Sequence, residues 1–330
     1  MTQPQNTRKF GVEIEFVGID RHSLASHLNQ AGIYTRVESY NHQTRPHWKI
    51  TTDASVSGRG GAGELVSPIL KGQEGLEQLR QVCAVLNEHG ATVNRTCGLH
   101  VHLDARDLNV EQIKSVAKRY HKYQSSINSI MPPSRVDGTY CNRLSDQQIA
   151  RLERSESKYQ ASTSWGKFHV VNISNIDHRG SIEFRQHSGT VDYIKISRWI
   201  IFLQQFLQKS IELQNTGGRS VMKSRAFSHA RQLLEQSGYE VKHRRYRDDW
   251  SILSDGEQVA ILDGDDLRNS YDEMDSSKRR RAFVNPQKFD AMLEAKGLRL
   301  SAVPLADQGW LDGVDGETQE YIRNRIRQLS

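Results

Sequence analysis

Three short segments constrain this chain more than any other feature: Phe10–Phe16, Cys97–Asp104 and Ser181–His187. A β-strand sends successive side chains to opposite faces. Read at that period, the first segment sets Phe10, Val12, Ile14 and Phe16 on one face and Gly11, Glu13 and Glu15 on the other. The second sets Cys97, Leu99, Val101 and Leu103 against Gly98, His100, His102 and Asp104. The third sets Ile182 and Phe184 against Glu183, Arg185 and His187. Each segment is therefore expected to be a strand with one apolar packing face. An ordinary solvated face would mix Thr, Lys, Ser and Gln. Here the second face holds carboxylates, imidazoles and a guanidinium.

Those residue types point to a metal–phosphate site. Mg²⁺ is a hard cation that takes oxygen ligands and usually keeps some of its waters. Carboxylates at i and i+2 of one strand lie about 7 Å apart, which suits two neighbouring ions better than one. With Glu64 and Glu183 added, four carboxylates would repel one another unless cations neutralised them. Arg185 would meet a carboxylate or phosphate through its planar fork. Any one of the three pairs is by itself most often a surface or salt-bridge feature. Their occurrence together, each beside a clean apolar face, favours a shared site.

Around these strands the chain alternates helical and irregular stretches. Helices are expected at about Ser23–Ala31, through the run Leu76, Leu79, Cys83 and Leu86, at Val110–Ile130, and at Lys195–Leu213. Tyr40–Thr51 and Phe168–Ile173 read as strands, and residues 134–167 as an irregular polar lobe. The loop Gly58–Gly63 lacks the Lys-Ser/Thr ending of a phosphate-binding loop and is expected to give flexibility over the site. Gln214–Ser220 is the best linker candidate. Beyond it, a helix is expected near Ala226–Gln236, and Asp255-Gly256 predicts a hairpin joining Trp250–Leu253 to Gln258–Leu262. His121, His169, Trp48 and Trp165 are expected to pack or lie at the surface, and the basic run Lys278–Arg281 to be a solvated face.

The chain has 330 residues, 36% hydrophobic and 25% charged, enough for one large domain or two. The expected division is a domain over 1–220 and an accessory α+β domain over 221–330. No stretch approaches the ~20 apolar residues of a membrane span. The polar start, Met1–Asn6, and three cysteines without a disulfide or zinc-knuckle spacing suit a cytoplasmic protein. The net charge of +6 is uneven: residues 1–220 hold 27 Lys and Arg against 20 Asp and Glu, and residues 221–330 hold 18 against 19. The basic excess thus travels with the candidate site. It would suit a nucleotide, an acidic substrate or a nucleic acid.

The motifs Gly11-Val12-Glu13-Ile14-Glu15, Asp53-Ala54-Ser55, Glu64-Leu65-Val66-Ser67-Pro68, Gly98-Leu99-His100-Val101-His102 and Ile182-Glu183-Phe184-Arg185-Gln186-His187 stand in an order that resembles the amidoligase family. Tyr140-Cys141-Asn142-Arg143 and Gly189-Thr190 with Asp192 are smaller echoes. The resemblance covers about residues 8–213. That family belongs with glutamine synthetase and γ-glutamylcysteine synthetase. The resemblance implies an α+β fold, a glutamine synthetase-like curved antiparallel sheet backed by helices, with a small C-terminal α+β appendage. It implies an ATP-dependent ligase that joins a carboxylate to an amine through an acyl phosphate. Two or three Mg²⁺ ions, with Mn²⁺ as a substitute, would be held by Glu13, Glu15, Glu64 and Glu183. His100 and His102 resemble the histidines near the metal and the nucleotide phosphates. Arg185 resembles the arginine that meets the substrate carboxylate or the transferring phosphoryl group. Arg143 and Arg135 would lie on the phosphate side, and Asp53 would receive the incoming amine.

The implied substrates are a small-molecule carboxylate, glutamate-like by family habit, and an amine. A protein or nucleic acid docked by residues 221–330 is an alternative acceptor. Two other readings use the same residues differently. A guanidino-kinase-like phosphotransferase would yield ADP and an N-phosphorylated product without an amide. A basic nucleic-acid-binding protein would show steeply salt-dependent binding without ATP hydrolysis, but the chain has no recognisable binding motif.

Overall fold

All three chemistry-bearing segments are strands of one sheet. The computed structural model describes residues 8–215, 230–231, 233–235, 237–244, 249–263, 266, 286–299 and 309–329. The chain divides into two compact units, one made of Met1–Asn215 with Leu311–Ser330 and the other of Thr216–Trp310.

In the first unit, β1 (Phe10–Val17), β2 (Thr35–Val37), β3 (Trp48–Thr51), β4 (Ala62–Val66), β5 (Gly98–Asp104), β6 (Val171–Asn172) and β7 (Ser181–Ser188) form a sheet of order β2-β3-β4-β1-β5-β7-β6. Five of its six pairings are antiparallel. The pair β2–β3 is parallel, so the sheet is mixed rather than wholly antiparallel as expected. Residues 38–47 run back between those two strands and let both point the same way.

The apolar strand face is sealed by helices. Val12, Ile14, Leu99, Val101, Ile182 and Phe184 are all buried. Over them lie α3 (Val110–Asn128) and α6 (Tyr193–Asn215), with α1 (Arg21–Gln30) and α2 (Gly72–Glu88) alongside. Tyr120 of α3 sits with its ring centroid 5.8 Å from Phe184 and 5.9 Å from Phe206 of α6. The amphipathic spacing that predicts α3 is reinforced at its start by a capping box between Asn109 and Gln112. Residues 134–167 are less irregular than expected. They hold α4 (Asp146–Glu153) and α5 (Lys158–Thr163), started by the N-caps Ser145 and Ser157. Trp48 and Trp165 are packing residues, their indole N–H groups donating to Gln78 at 3.2 Å and to the Val171 carbonyl at 2.8 Å.

The Gly58–Gly63 loop is not a free flap. Gly60 and Gly61 have φ of +79° and +112°, and the Gly61 carbonyl accepts the Gly18 N–H at 3.0 Å. A Cβ on Gly61 would come within 2.4 Å of the Ile19 carbonyl oxygen, so the loop is pressed onto the chain after β1.

The chain returns to this unit after residue 310. A helix, Gly316–Leu329, begins behind Asp315, whose side chain accepts the Thr318 N–H at 2.9 Å. The buried Arg119 of α3 reaches the Asp312 carbonyl at 3.2 Å. The Asp315 N–H donates to Gln205 of α6 at 3.0 Å.

The second unit holds an antiparallel sheet of order β10-β9-β8, from β8 (Glu240–Arg244), β9 (Asp249–Ser254) and β10 (Glu257–Leu262). The hairpin predicted around Asp255-Gly256 is present. Both residues have positive φ, 51° and 84°, as a two-residue turn between right-twisted strands requires. Trp250, Ile252, Phe289 and Leu293 lie in its core, with a helix at Pro286–Ala295. Most of the expected linker at 214–220, much of the expected helix near 226–236 and the basic run 278–281 lie outside the described residues. Among the described residues, no helix is long and apolar enough to cross a membrane.

Candidate active site

The polar face of the sheet opens into a cavity of about 720 Å³. Its floor is set by strand register. Glu13 of β1 lies directly across from His100 of β5, and Glu15 directly across from Glu64 of β4. His102 of β5 lies across from Glu183 of β7. Residues from four strands therefore converge because each occupies the polar phase of its own alternation.

The contacts are close. His100 Nδ1 is 3.0 Å from Glu13 Oε2 and 3.8 Å from Glu183 Oε1, and its Nε2 is 3.6 Å from Glu15 Oε1. These residues fall into two overlapping groups, Glu13–His100–Glu183 and Glu15–Glu64–His100. In each, one candidate ligand atom per residue lies within 4.8 Å of the others. Glu15, Glu64, His100 and Glu183 are buried, and Glu13 is partly exposed to the cavity. Glu15 is steadied by the Gly98 N–H at 2.5 Å, and Glu183 by the Asn172 amide at 2.7 Å and by the Arg185 guanidinium.

The electrostatics are those of a cluster with too much negative charge. Burial, with the charges of Glu13, Glu15 and Asp53, pushes the Glu64 carboxyl well above the usual range. Burial also opposes ionisation of Glu13, but His102 and His100 beside it hold that carboxyl well below the usual range. His102 is pulled up by Glu13 and Glu183 against the cost of its own burial. Its Nε2 lies 3.1 Å from Glu13 Oε1, an ion-pair contact that is not aligned as a hydrogen bond. A carboxyl pushed toward its neutral form among carboxylates, and an imidazole nitrogen buried without a hydrogen bond, both fit a site built to hold divalent cations. The donor set, mainly oxygen with imidazole, suits Mg²⁺ or Mn²⁺.

The structure brings Glu13, Glu64, His100, His102, Glu183 and Arg185 to the cavity, with Glu15 buried beneath them and Asp53 on the wall. Asp53 Oδ1 accepts the Ser55 N–H at 2.6 Å and its hydroxyl at 2.5 Å. Two of the expected arginines lie elsewhere. Arg143 is exposed and does not line the cavity. Arg135 is buried, donating to the main-chain carbonyls of Arg185 and Gln186.

Those two carbonyls mark a β-bulge, which corrects the expected third strand. Leu99 pairs with His187 and Val101 with Phe184, so His100 faces both Arg185 and Gln186. Arg185 keeps the cavity phase. Gln186 is wholly buried, accepting from the Tyr120 hydroxyl at 2.7 Å. His187 is thereby turned to the helix side, its ring 5.3 Å from Trp199 of α6, and does not share a face with Glu183 and Arg185.

Sequence reasoning gives no role to three further wall residues. Asn172 orients Glu183, and its signal is an amide inside the apolar run Val170–Ile173. Tyr140 presents its carbonyl to Arg185 Nε at 3.1 Å. Lys49 is 3% exposed and fastens the neighbouring wall, donating to the Asn41 and Gln43 carbonyls, both at 2.9 Å. A lone Lys in the buried strand Trp48–Thr51 is the sequence signal for it.

The family described as "Putative amidoligase enzyme" matches residues 6–207. This chain belongs to the amidoligase family. The matched stretch contains every residue of the two ligand groups and all seven strands of the large sheet. Among curated proteins, none matches the chain. As a family member, the amidoligase-type chain carries its candidate ligands on β1, β4, β5 and β7, with residues 208–330 outside the match.

Proposed function

We propose that this chain is an ATP- and Mg²⁺-dependent carboxylate–amine ligase acting on a glutamate-like acid and an amine. The observation that carries the reading is the convergence of two carboxylate–histidine groups with Arg185 on one cavity wall, in a chain of the amidoligase family. The cavity is large enough for a nucleotide with a small acid. The reading also makes the seven-stranded sheet a glutamine synthetase-like one.

Glu13, Glu15, Glu64 and Glu183 would hold Mg²⁺, which when bound supplies charge neutralisation to the phosphates. In the reaction, the substrate carboxylate attacks the γ-phosphorus of ATP, ADP leaves, and an acyl phosphate forms. The amine then attacks the acyl carbon, and inorganic phosphate departs with the C–O bonding pair. Arg185 stabilises charge on the transferring group through guanidinium N–H groups not taken by Glu183 and Tyr140. Asp53 holds its Ser55 contacts on Oδ1, which leaves Oδ2 to receive the proton released by the amine. His100 and His102 fix the Glu13 carboxylate between them.

The test is an ADP-release screen of amino acids and polyamines with Mg²⁺, read by mass spectrometry of the product. Glu15→Gln and Glu183→Gln are each expected to lower ADP release by about 10²–10³-fold while the melting temperature stays within a few degrees. A Glu183→Gln variant with full activity would remove that glutamate from the site. Wild-type protein that fails to bind Mg·ATP would sink the whole reading.

A further inference from the structure

The bulge that turns His187 away from the active site delivers it to a second cavity, on the helix side of the sheet. This cavity has a volume of about 50 Å³, several times the ~10–15 Å³ that admits one water. It lies among the end of β7, α6 and the C-terminal helix. Its cationic lining is Lys195 and Arg198 of α6 and Arg325 of the C-terminal helix, and no Asp or Glu lines it. Arg198 is paired with Glu317. Neither Lys195 nor Arg325 meets a carboxylate among the described residues. Asp192, just before α6, has its carboxylate engaged by the Ile194 and Lys195 N–H groups at 2.8 and 3.3 Å.

One polar atom at this cavity is buried without a partner, and a second presents an open lone pair. Trp199 is 3% exposed, and its indole N–H is buried with no acceptor. Buried donors of that kind are rare in folded proteins and call for a ligand or a water. His187 also lines the cavity. Its Nδ1 faces the Ser188 carbonyl at 2.7 Å, which can only accept, so Nδ1 carries the proton. Burial, with the positive charges of Arg135, Arg325 and Lys195, presses this imidazole down to about 4, so it is neutral at physiological pH. Its Nε2 therefore presents a lone pair. The site offers cationic donors and an indole N–H together with one acceptor.

We propose that this cavity binds a small protonated oxyanion, inorganic phosphate being the species that matches it. The phosphate oxygens would take the Lys195, Arg325 and Trp199 donors, and a P–OH group would donate to His187 Nε2. Water would satisfy the indole but leave the two cations unneutralised. Sulfate matches the size but has no hydroxyl at neutral pH, so it has no donor to offer His187. The family match stops at residue 207, short of Arg325, so the site belongs to this chain's junction of α6 with its C-terminal helix. It does not depend on the ligase reading, since it lies on the opposite face of β7 from Glu183 and Arg185.

The test is isothermal titration of chelator-treated full-length protein with phosphate and with sulfate at matched ionic strength. The Trp199 indole is followed by NMR and assigned with Trp199→Phe. We expect saturable phosphate binding, sulfate at least about tenfold weaker, and a downfield shift of the Trp199 indole proton. Lys195→Gln and Arg325→Gln are each expected to weaken phosphate about tenfold. Arg325→Lys, which keeps the charge, retains most of the affinity and controls for folding. Glu183→Gln leaves binding unchanged. Absence of saturable binding, binding that survives both charge removals, or binding lost in Glu183→Gln overturns the assignment. Equal affinity for sulfate overturns the protonated ligand.

Discussion

His100 is the residue at which the two ligand groups meet, and the glutamates around it do not share one fate. Glu13 is held ionised by its imidazole neighbours, whereas Glu64, facing Glu13, Glu15 and Asp53, is pushed toward its neutral form. A carboxyl whose folded value is raised above its ordinary one adds no penalty at low pH. As pH rises through the raised value, the cation-free protein loses stability. In the proposed metal-bound site, a divalent cation would take the place of the proton. Mg²⁺ should therefore raise the wild-type melting temperature more at pH 8 than at pH 6. Glu64→Gln should melt about 2–4 °C higher than wild type at pH 8 without metal, and respond little to Mg²⁺. Scanning fluorimetry across pH reads both effects, and an undiminished Mg²⁺ response in Glu64→Gln would place the cation elsewhere.

At the scale of elements, what could be read from the sequence was whatever obeys a fixed period. β1, Phe10–Val17, covers the whole of the expected Phe10–Phe16, and its alternation sorts Glu13 and Glu15 from Val12 and Ile14. The β7 bulge escaped because a period of two cannot register one extra residue. Only the pairing with β5 shows that Arg185 and Gln186 share a partner. The expected strand Tyr40–Thr51 shrank to Trp48–Thr51 for a different reason. Residues 40–47 are organised by side chains from outside them, Lys49 on one side and Glu38 on the other. Glu38 accepts from the Asn41 amide at 2.9 Å and Arg45 Nε at 3.1 Å and lies 3.1 Å from His47 Nε2. Burial opposes its ionisation, but those partners hold it down to about 2. The stability a depressed carboxyl contributes is complete above its unfolded value and lost as pH falls through the folded one. Pepsin should therefore begin to cut the wild-type segment as pH falls from 4.5 toward 2, whereas Glu38→Gln should be cut at both ends of that window. A wild-type segment that resists throughout would show that Glu38 does not hold it.

For the whole molecule, the informative feature is where the chain goes after the family-matched stretch ends. It leaves the first unit at Asn215 and returns at Leu311. Composition gave no sign of the return, because the last helix is polar along most of its length and its docking rests on a few positions. Leu311, Val314 and Ile322 are buried there, each worth about 1.5–3 kcal/mol. A chain cut back to residue 215 should melt well below the full-length protein or fail to stay in solution, as circular dichroism and gel filtration would show. A chain in which residues 216–310 are replaced by a flexible linker should keep the stability of the first unit. Equal stability of the two would mean that the terminal helix contributes nothing. The second unit is in effect a passenger moored at both ends. One break in either mooring severs the polypeptide but not the fold, so residues 1–215 and 216–330 made as separate pieces should find each other and reconstitute the first unit as a split protein.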